Sequence, residues 1–206
     1  MSNKLVNIGI IGSGAWGTAL ACNLSKKKII LWAYEKKIVS EINKFRTNKT
    51  FLPKIKIPNN IYATRNLEEI AMCKFVFICV PSQFVKKIIL QFKKFYKKEM
   101  IIIICSKGLE HNSKSLISEM IKRIIPGSKI AVLSGPSFAI EVAKKLPTAV
   151  TIASKNHRDA KTIAKLINSK TFRCYYSNDI IGVQIGGIIK NILAIASGIV
   201  ESQKLG

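Results

Sequence analysis

Short runs of apolar residues alternate along this chain with longer segments whose apolar positions recur at helical spacing. The runs predict β-strands at residues 6–11, 29–33, 61–63, 75–80, 100–105, 129–133, 149–153 and 172–176. Several of them are apolar at nearly every position, as expected for parallel strands that are covered on both faces.

The segments between these runs predict helices at residues 15–26, 36–45, 67–72, 84–95, 113–125, 137–144 and 158–168. This strict alternation predicts an α/β fold, a doubly wound sheet of the Rossmann type. After Tyr176 the strands stop and a helical region begins, with Asn178 or Asp179 as its N-cap. We therefore expect a dinucleotide-binding domain over residues 1–178, followed over residues 179–206 by the start of an all-α domain.

The predicted sheet is organised around its first strand and the glycine-rich turn that follows. Residues 12–17 read Gly-Ser-Gly-Ala-Trp-Gly, between a strand pattern and an Ala- and Leu-rich helix pattern. Gly12 allows a tight turn, Gly14 lets the backbone approach a pyrophosphate, and Gly17 lets the helix pack close to the sheet. The N–H groups at the helix start can hold the phosphates. This context favours a dinucleotide site over a purely structural turn.

Ligands bind doubly wound sheets at the carboxyl ends of the strands, where further candidates lie. Glu35 follows the glycine turn by about twenty residues, the usual place of an acid that binds the ribose 2′-hydroxyl. On position alone, a solvated glutamate that starts a helix is an equally good interpretation. Pro81 ends the strand at 75–80, and we expect Ser82 to cap the helix beside the cofactor.

Lys107 stands at the tip of the strand at 100–105, beside Gly108. Most lysines of this chain are expected on the surface, but this one is placed where a phosphate or a carbonyl group would lie. The next strand ends in Ser-Gly-Pro-Ser at residues 134–137, where we expect Ser137 to be the N-cap of a helix. The backbone N–H groups of this turn again face the predicted crevice.

The pattern at residues 186–198 is apolar almost all round, which predicts a buried helix. Its cation, Lys190, shares a face with Gly186, Gly187, Ala194 and Ser197. These small neighbours leave room for a ligand to reach the amine, and burial favours the neutral amine that proton transfer needs. The alternative, a lysine that extends to the surface from a helix end, is disfavoured by its position in the middle of the helix.

Composition narrows the class of protein. The sequence has 206 residues, of which 48% are hydrophobic and 22% charged, as in a soluble globular protein. The apolar stretch 180–200 is interrupted by Gln184, Lys190 and Asn191, so we expect a buried helix and no membrane span. The sequence does not start with a charged and then apolar leader, which favours the cytoplasm.

Charge and cysteine usage change this picture little. The 34 Lys and Arg residues outnumber the 11 Asp and Glu residues, but the lysines are scattered over predicted helix faces and loops. No recognition motif accompanies the charge, so we expect nonspecific attraction to polyanions and no specific nucleic-acid binding. The five cysteines are far apart, with no Cys-x-x-Cys, which predicts reduced core thiols and no metal site.

Several blocks of the sequence together resemble one family. They are residues 12–17 with Trp16, Ser-Lys-Gly-Leu-Glu at 106–110, Leu-Ser-Gly-Pro-Ser-Phe-Ala at 133–139, Leu-Pro-Thr-Ala-Val at 146–150 and the helix at 187–199. In this order, over nearly the whole chain, they are similar to bacterial NAD(P)-dependent glycerol-3-phosphate dehydrogenase. The resemblance implies reduction of dihydroxyacetone phosphate to sn-glycerol 3-phosphate, which supplies the backbone of phospholipids.

The resemblance also implies roles for individual residues. Lys190 would be the catalytic proton donor and acceptor, and Lys107 would contact both cofactor and substrate. Substrate contacts would also come from Gly135, Ser137 and Lys190. Taken with the glycine motif and the spacing of Glu35, the expected cofactor-binding residues are Gly12, Ser13, Gly14, Ala15, Trp16, Gly17, Tyr34, Glu35, Lys107 and Ala139.

The sequence departs from this family at three places. Lys26, Lys27 and Lys28 replace, in a shorter connection, the Asn-Gly-His turn that commonly follows the first helix. Tyr34 stands where an arginine suited to the 2′-phosphate of NADP is common, so the cofactor is NAD or NADP. The sequence ends at Gly206, whereas the family continues into a helical domain with further site residues, through which a homodimer could form. We therefore expect a fragment or a truncated form.

Two other functions fit the same pattern. One is a related reductase of the same architecture with another substrate, such as a 3-hydroxyacid dehydrogenase. The other is a dinucleotide-binding module without catalytic activity, which would bind the cofactor and give no turnover.

Overall fold

A computed structural model describes residues 8–24 and 27–204 and contains every predicted strand. The strands are β1 Ile8–Ile11, β2 Ile29–Trp32, β3 Ile61–Thr64, β4 Phe75–Ile78, β5 Ile101–Ile104, β6 Lys129–Ser134, β7 Thr148–Ser154 and β8 Phe172–Ser177. The start of the first predicted strand, Val6 and Asn7, lies outside the described residues.

The α-helices are α1 Ala15–Asn23, α2 Lys36–Ser40, α3 Ser82–Phe92, α4 Ile117–Ile124, α5 Ala139–Ala143, α6 His157–Ile167 and α7 Ile180–Ser202. A π-helix at Glu41–Phe45 continues α2, and 3-10 helices form at Leu67–Met72 and Lys93–Phe95. The predicted helix at 15–26 ends at Asn23, and Lys26 lies outside the described residues. The predicted helix at 113–125 begins only at Ile117, because residues 110–115 form a hydrogen-bonded turn.

The strands form one sheet with the order β3-β2-β1-β4-β5-β6-β7-β8. Strands β1 to β6 are parallel, and the order reverses between β1 and β4. A crevice opens at such a reversal, outside the carboxyl ends of the strands. β7 runs antiparallel to β6, and β8 is parallel to β7. The prediction of a doubly wound α/β fold is confirmed, and the sheet is mixed.

Helices cover both faces of the sheet, which explains why its central strands are apolar at every position. All residues of β1, β2, β4 and β5 are buried. Their side chains alternate between two clusters, one shared with α1 and α6 and the other with α3 and α4. Each large aliphatic side chain in these clusters contributes about 1.5–3 kcal/mol of transfer free energy.

The helix α7 begins as predicted but is not buried along its length. The carboxylate of Asp179 accepts a hydrogen bond of 2.7 Å from the Gly182 N–H, which confirms the predicted N-cap. Gln184 is buried, and its amide donates to the Ser118 hydroxyl at 2.7 Å. Further along, Ile192 and Ile195 are 62% and 66% exposed. The expectation of a buried helix is wrong there, because no described residue packs over this part.

By length and composition alone, α7 could cross a membrane. This is a weak signal, because an apolar helix of a soluble protein passes the same test. The first turns of α7 pack on β6 and β7 and carry the buried Gln184. The helix therefore does not indicate a membrane span.

Candidate functional site

The turn after β1 has the shape that a bound pyrophosphate needs. Gly12 has a φ of +118°, in the region that favours glycine. A Cβ on Gly17 would overlap the carbonyl oxygen of Gly12, so only glycine lets α1 pack this closely. A Cβ on Gly14 would meet no described atom within 4 Å, which leaves that side open to a ligand. Gly14 offers no capping side chain, so the first N–H groups of α1 remain for a phosphate.

Two polar side chains hold this turn from the protein side. The Thr18 hydroxyl donates to the Ser13 carbonyl oxygen at 3.0 Å. The Asn48 amide donates to the same oxygen and to the Thr18 hydroxyl, both at 2.8 Å. Asn48 is 1% exposed. The sequence analysis missed Asn48, because a single asparagine in a long loop has no characteristic spacing from the glycine turn.

The residues predicted to meet the ribose lie at the end of β2. The Tyr34 side chain is 69% exposed, and Glu35 is exposed at the N-cap of α2. The Tyr34 carbonyl oxygen accepts a hydrogen bond of 3.1 Å from Nε of Arg65, which follows β3. This part of the crevice therefore carries both an acidic and a basic side chain. Arg65 was also missed, because only the pairing of β2 with β3 brings it here.

The prediction that Ser82 caps α3 is wrong, because Pro81 occupies the N-cap and Ser82 is the first helical residue. Ser82 instead lies against the turn that follows β5. A Cβ on Gly108 would lie 2.7 Å from the Ser82 hydroxyl oxygen. The close approach brings the start of α3 against the turn that carries Lys107.

Lys107 joins the tips of two neighbouring strands, β5 and β6. Its amine donates a hydrogen bond of 3.4 Å to the carbonyl oxygen of Gly135. Partial desolvation and the positive charge of Lys190 lower the pKa of Lys107. Two ammonium groups that repel each other across one crevice favour an anion between them.

The loop after β6 brings an aromatic ring to the same region. Ser137 is not the N-cap of α5, because Phe138, with an extended backbone, takes that place. The Lys190 amine lies 5.7 Å from the centre of the Phe138 ring, within the range of a cation–π contact. Ala139 begins α5, which packs against α1, the helix that follows the glycine turn.

Close packing of α7 on the sheet edge places Lys190. A Cβ on Gly187 would lie 2.5 Å from the Ser134 hydroxyl oxygen and 3.9 Å from Cγ of Lys107. Lys190 follows about one turn later and is half-buried, less than the sequence predicts. The predicted substrate-binding residues Lys107, Gly135 and Lys190 thus lie around one region at the carboxyl ends of β5 and β6, with Ser137 in the adjoining loop.

The five cysteines are not grouped with Lys107 and Lys190 in a way that suggests a catalytic thiol. All are free thiols. Burial raises the pKa of Cys22 to about 11, and that of Cys73 and Cys174 to about 12. Within residues 8–24 and 27–204, no three His, Cys, Asp or Glu side chains are grouped to hold a metal ion.

Known proteins share this sequence pattern and this fold. A family model for the NAD-dependent glycerol-3-phosphate dehydrogenase N-terminus matches residues 7–160, and the model for the C-terminus matches residues 179–206. The glycerol-3-phosphate dehydrogenases (NAD(P)+) of Parvibaculum lavamentivorans and Caulobacter vibrioides are 40% and 42% identical to this chain over 201 residues. These alignments cover 97% of this chain and 60% and 61% of the two relatives.

The crystal structure of glycerol-3-phosphate dehydrogenase from Coxiella burnetii superimposes on this fold with a TM-score of 0.90 at 37% identity. The match covers 97% of this chain and 62% of that one, so this chain spans about 60% of the length of such relatives. The two family models together match most of the chain, and the chain therefore belongs to the NAD-dependent glycerol-3-phosphate dehydrogenase family.

Proposed function

We propose that this chain forms the dinucleotide-binding part of an enzyme that interconverts dihydroxyacetone phosphate and sn-glycerol 3-phosphate. The observation that carries the proposal is the meeting of Lys107 and Lys190 beside the tip of β6, in the crevice of a glycine turn that is open at Gly14. We place the domain boundary at residue 178, where β8 gives way to α7.

The cofactor is NAD or NADP, which supplies or accepts the hydride when it is bound. The turn formed by Gly12, Ser13, Gly14, Ala15, Trp16 and Gly17 binds its pyrophosphate with backbone N–H groups. Tyr34 and Glu35 meet the adenosine ribose, and Ala139 lies beside α1 along the same crevice. Lys107 contacts the cofactor from the opposite wall.

Lys190 gives a proton to the substrate oxygen on reduction and takes it back in the reverse direction. The Phe138 ring lies 5.7 Å from the Lys190 amine and contributes a cation–π contact to it. Lys107 neutralises negative charge on the substrate oxygen or phosphate, and Gly135 and Ser137 orient the substrate from the loop after β6. The substrate is thus a small phosphorylated molecule.

The exposed apolar part of α7 is covered, in this proposal, by the further helices of a C-terminal domain. That domain also supplies the remaining phosphate contacts and the contact of a homodimer. The enzyme works in the cytoplasm, where its thiols stay reduced and its product enters phospholipid synthesis.

The decisive experiment measures NADH and NADPH oxidation with dihydroxyacetone phosphate, for this chain and for this chain extended by the helical domain of a relative. We expect both proteins to bind dinucleotide and the extended protein to turn over. Turnover only with a non-phosphorylated hydroxyacid or its ketone would favour the related reductase. Dinucleotide binding without turnover in the extended protein would favour the non-catalytic module.

A further inference from the structure

Glu110 is an unusual acidic residue in this basic chain. In the part of the chain that the structure describes, one ion pair lies within 4.0 Å, between the carboxylate of Glu110 and the amine of Lys86 at 3.4 Å. Glu110 is 5% exposed. A chain with 34 basic and 11 acidic residues has thus buried one carboxylate beside its lysine-bearing turn. A buried charge is costly unless it is well bonded, so its partners indicate what it holds.

The carboxylate of Glu110 closes the turn that follows it. One oxygen accepts two hydrogen bonds of 2.6 Å, from the backbone N–H and the hydroxyl of Ser113. The Glu110 backbone also donates to Ser115 and accepts from Lys114, both at 2.9 Å. The pKa of Glu110 is lowered to about 2, mainly by the hydrogen bonds from Ser113. The positive charge of Lys86 makes a smaller contribution. The carboxylate is therefore charged and fully engaged at every physiological pH.

The segment before Glu110 is tied to β4 and α3 at alternate residues. The Ser106 hydroxyl donates to the carbonyl oxygens of Ile78 and Val80. Gly108 lies against Ser82 at the start of α3, and Glu110 pairs with Lys86 one turn further along that helix. Lys107 lies between these contacts, and its amine reaches in the other direction, to the carbonyl oxygen of Gly135, directly after β6.

We propose that Glu110 is a positioning residue that holds the turn at 106–110 against α3 and so fixes the Lys107 amine at the tip of β6. The identity of the ligand that the Lys107 amine contacts rests on the proposed function, whereas the placement of the amine does not. The Glu110 oxygens bond to Ser113 and Lys86, so we assign Glu110 a role that acts through Lys107.

The test compares Glu110→Gln with Glu119→Gln, which changes an exposed glutamate in the first turn of α4. Competitive acetylation across a pH series, followed by mass spectrometry, gives the midpoint at which the Lys107 amine becomes reactive. We expect Glu110→Gln to raise this midpoint by about half a unit or more, toward that of an ordinary lysine. We also expect it to weaken NADH binding about threefold or more. Glu119→Gln should leave both values unchanged.

A second variant, Lys86→Met, removes the ion pair with α3 and leaves the hydrogen bonds of the turn in place. We expect a smaller shift of the Lys107 midpoint in the same direction. If Glu110→Gln lowers the melting temperature without moving the midpoint, Glu110 is only structural and the proposal is overturned. If Glu110→Gln does not fold, an unchanged midpoint in Lys86→Met overturns it. A shifted midpoint supports the proposal even if the protein shows no turnover. The lack of turnover would contradict only the proposed function.

Discussion

The Lys107 amine lies 3.4 Å from the Gly135 carbonyl oxygen, so a hydrogen bond connects the turns that follow the neighbouring strands β5 and β6. The two residues stand in different sequence blocks, each predicted to contact substrate. A neutral carbonyl oxygen holds the ammonium in place without cancelling its charge, which stays available to an anionic ligand.

Replacing Lys107 by Met removes the charge and keeps most of the apolar stem. We expect Lys107→Met to weaken NADH binding about tenfold, which corresponds to ~1.4 kcal/mol. Fluorescence titration measures the dissociation constant. Lys155→Met, an exposed lysine after β7, is the matched control and should change nothing. Equal affinities for the two variants would remove Lys107 from the cofactor site.

The role of Lys190 can be separated into charge and proton transfer. Lys190→Arg keeps the positive charge, but a guanidinium does not deprotonate near neutral pH. In the extended, active protein we expect both Lys190→Ala and Lys190→Arg to lower kcat by about 10²–10⁴. Dinucleotide affinity should stay within a few-fold in both. An arginine variant with near-native kcat would leave Lys190 a binding residue.

The buried Asn48 supports the glycine turn from below. Asn48→Ala leaves the Ser13 carbonyl oxygen with the Thr18 hydroxyl as its remaining side-chain donor among the described residues. We expect a loss of about 1–3 kcal/mol in the free energy of unfolding, together with weaker NADH binding. Denaturant titration and NADH titration measure the two effects. The control is Asn59→Ala, an exposed asparagine of the same loop. Lower stability with unchanged affinity would show that the turn keeps its shape without Asn48.

Glu35 and Tyr34 lead us to expect that NADH binds at least as well as NADPH. Arg65, together with Lys36 and Lys37, opposes this preference, because its guanidinium lies beside the Tyr34 carbonyl and could pair with a 2′-phosphate. Titration of both reduced cofactors decides the matter. A preference for NADPH of about tenfold or more contradicts the expectation. Arg65→Ala should weaken NADPH more than NADH.

Glu110 also makes stability depend on acid pH. Its pKa of about 2 in the folded protein lies below the usual value of about 4.3 for an unfolded glutamate. The unfolded chain therefore binds more protons in this range, so stability is present above about pH 4.3 and falls as the pH decreases toward 2. The slope of melting temperature against pH between these values should be shallower in Glu110→Gln. An identical slope in both proteins would contradict this role.

Local pattern predicted the strands because β1, β2, β4 and β5 are buried on both faces and carry apolar residues at every position. The glycine turn could also be predicted, because all its motif residues lie within a few positions of one another in the sequence. Asn48, Arg65 and the Glu110–Lys86 pair were not, because the fold brings them to the site from distant positions. The sequence of α7 showed that it is apolar and did not show what covers it. An apolar pattern also does not indicate the direction of a strand, so the antiparallel pairing of β7 with β6 could not be predicted.

The reversal of β7 decides where Lys190 lies. Because β7 is antiparallel to β6, β8 ends at the edge of the sheet opposite the crevice, and α7 must run back along β6 until Gly187 meets Ser134. The position of Lys190 along β6 is therefore set by the number of helical residues that precede it, at a rise of about 1.5 Å per residue. One residue inserted after Gln184 would turn Lys190 by about 100° and leave every strand in place. The chemistry of this crevice therefore depends on the number of residues in α7 as much as on their identity.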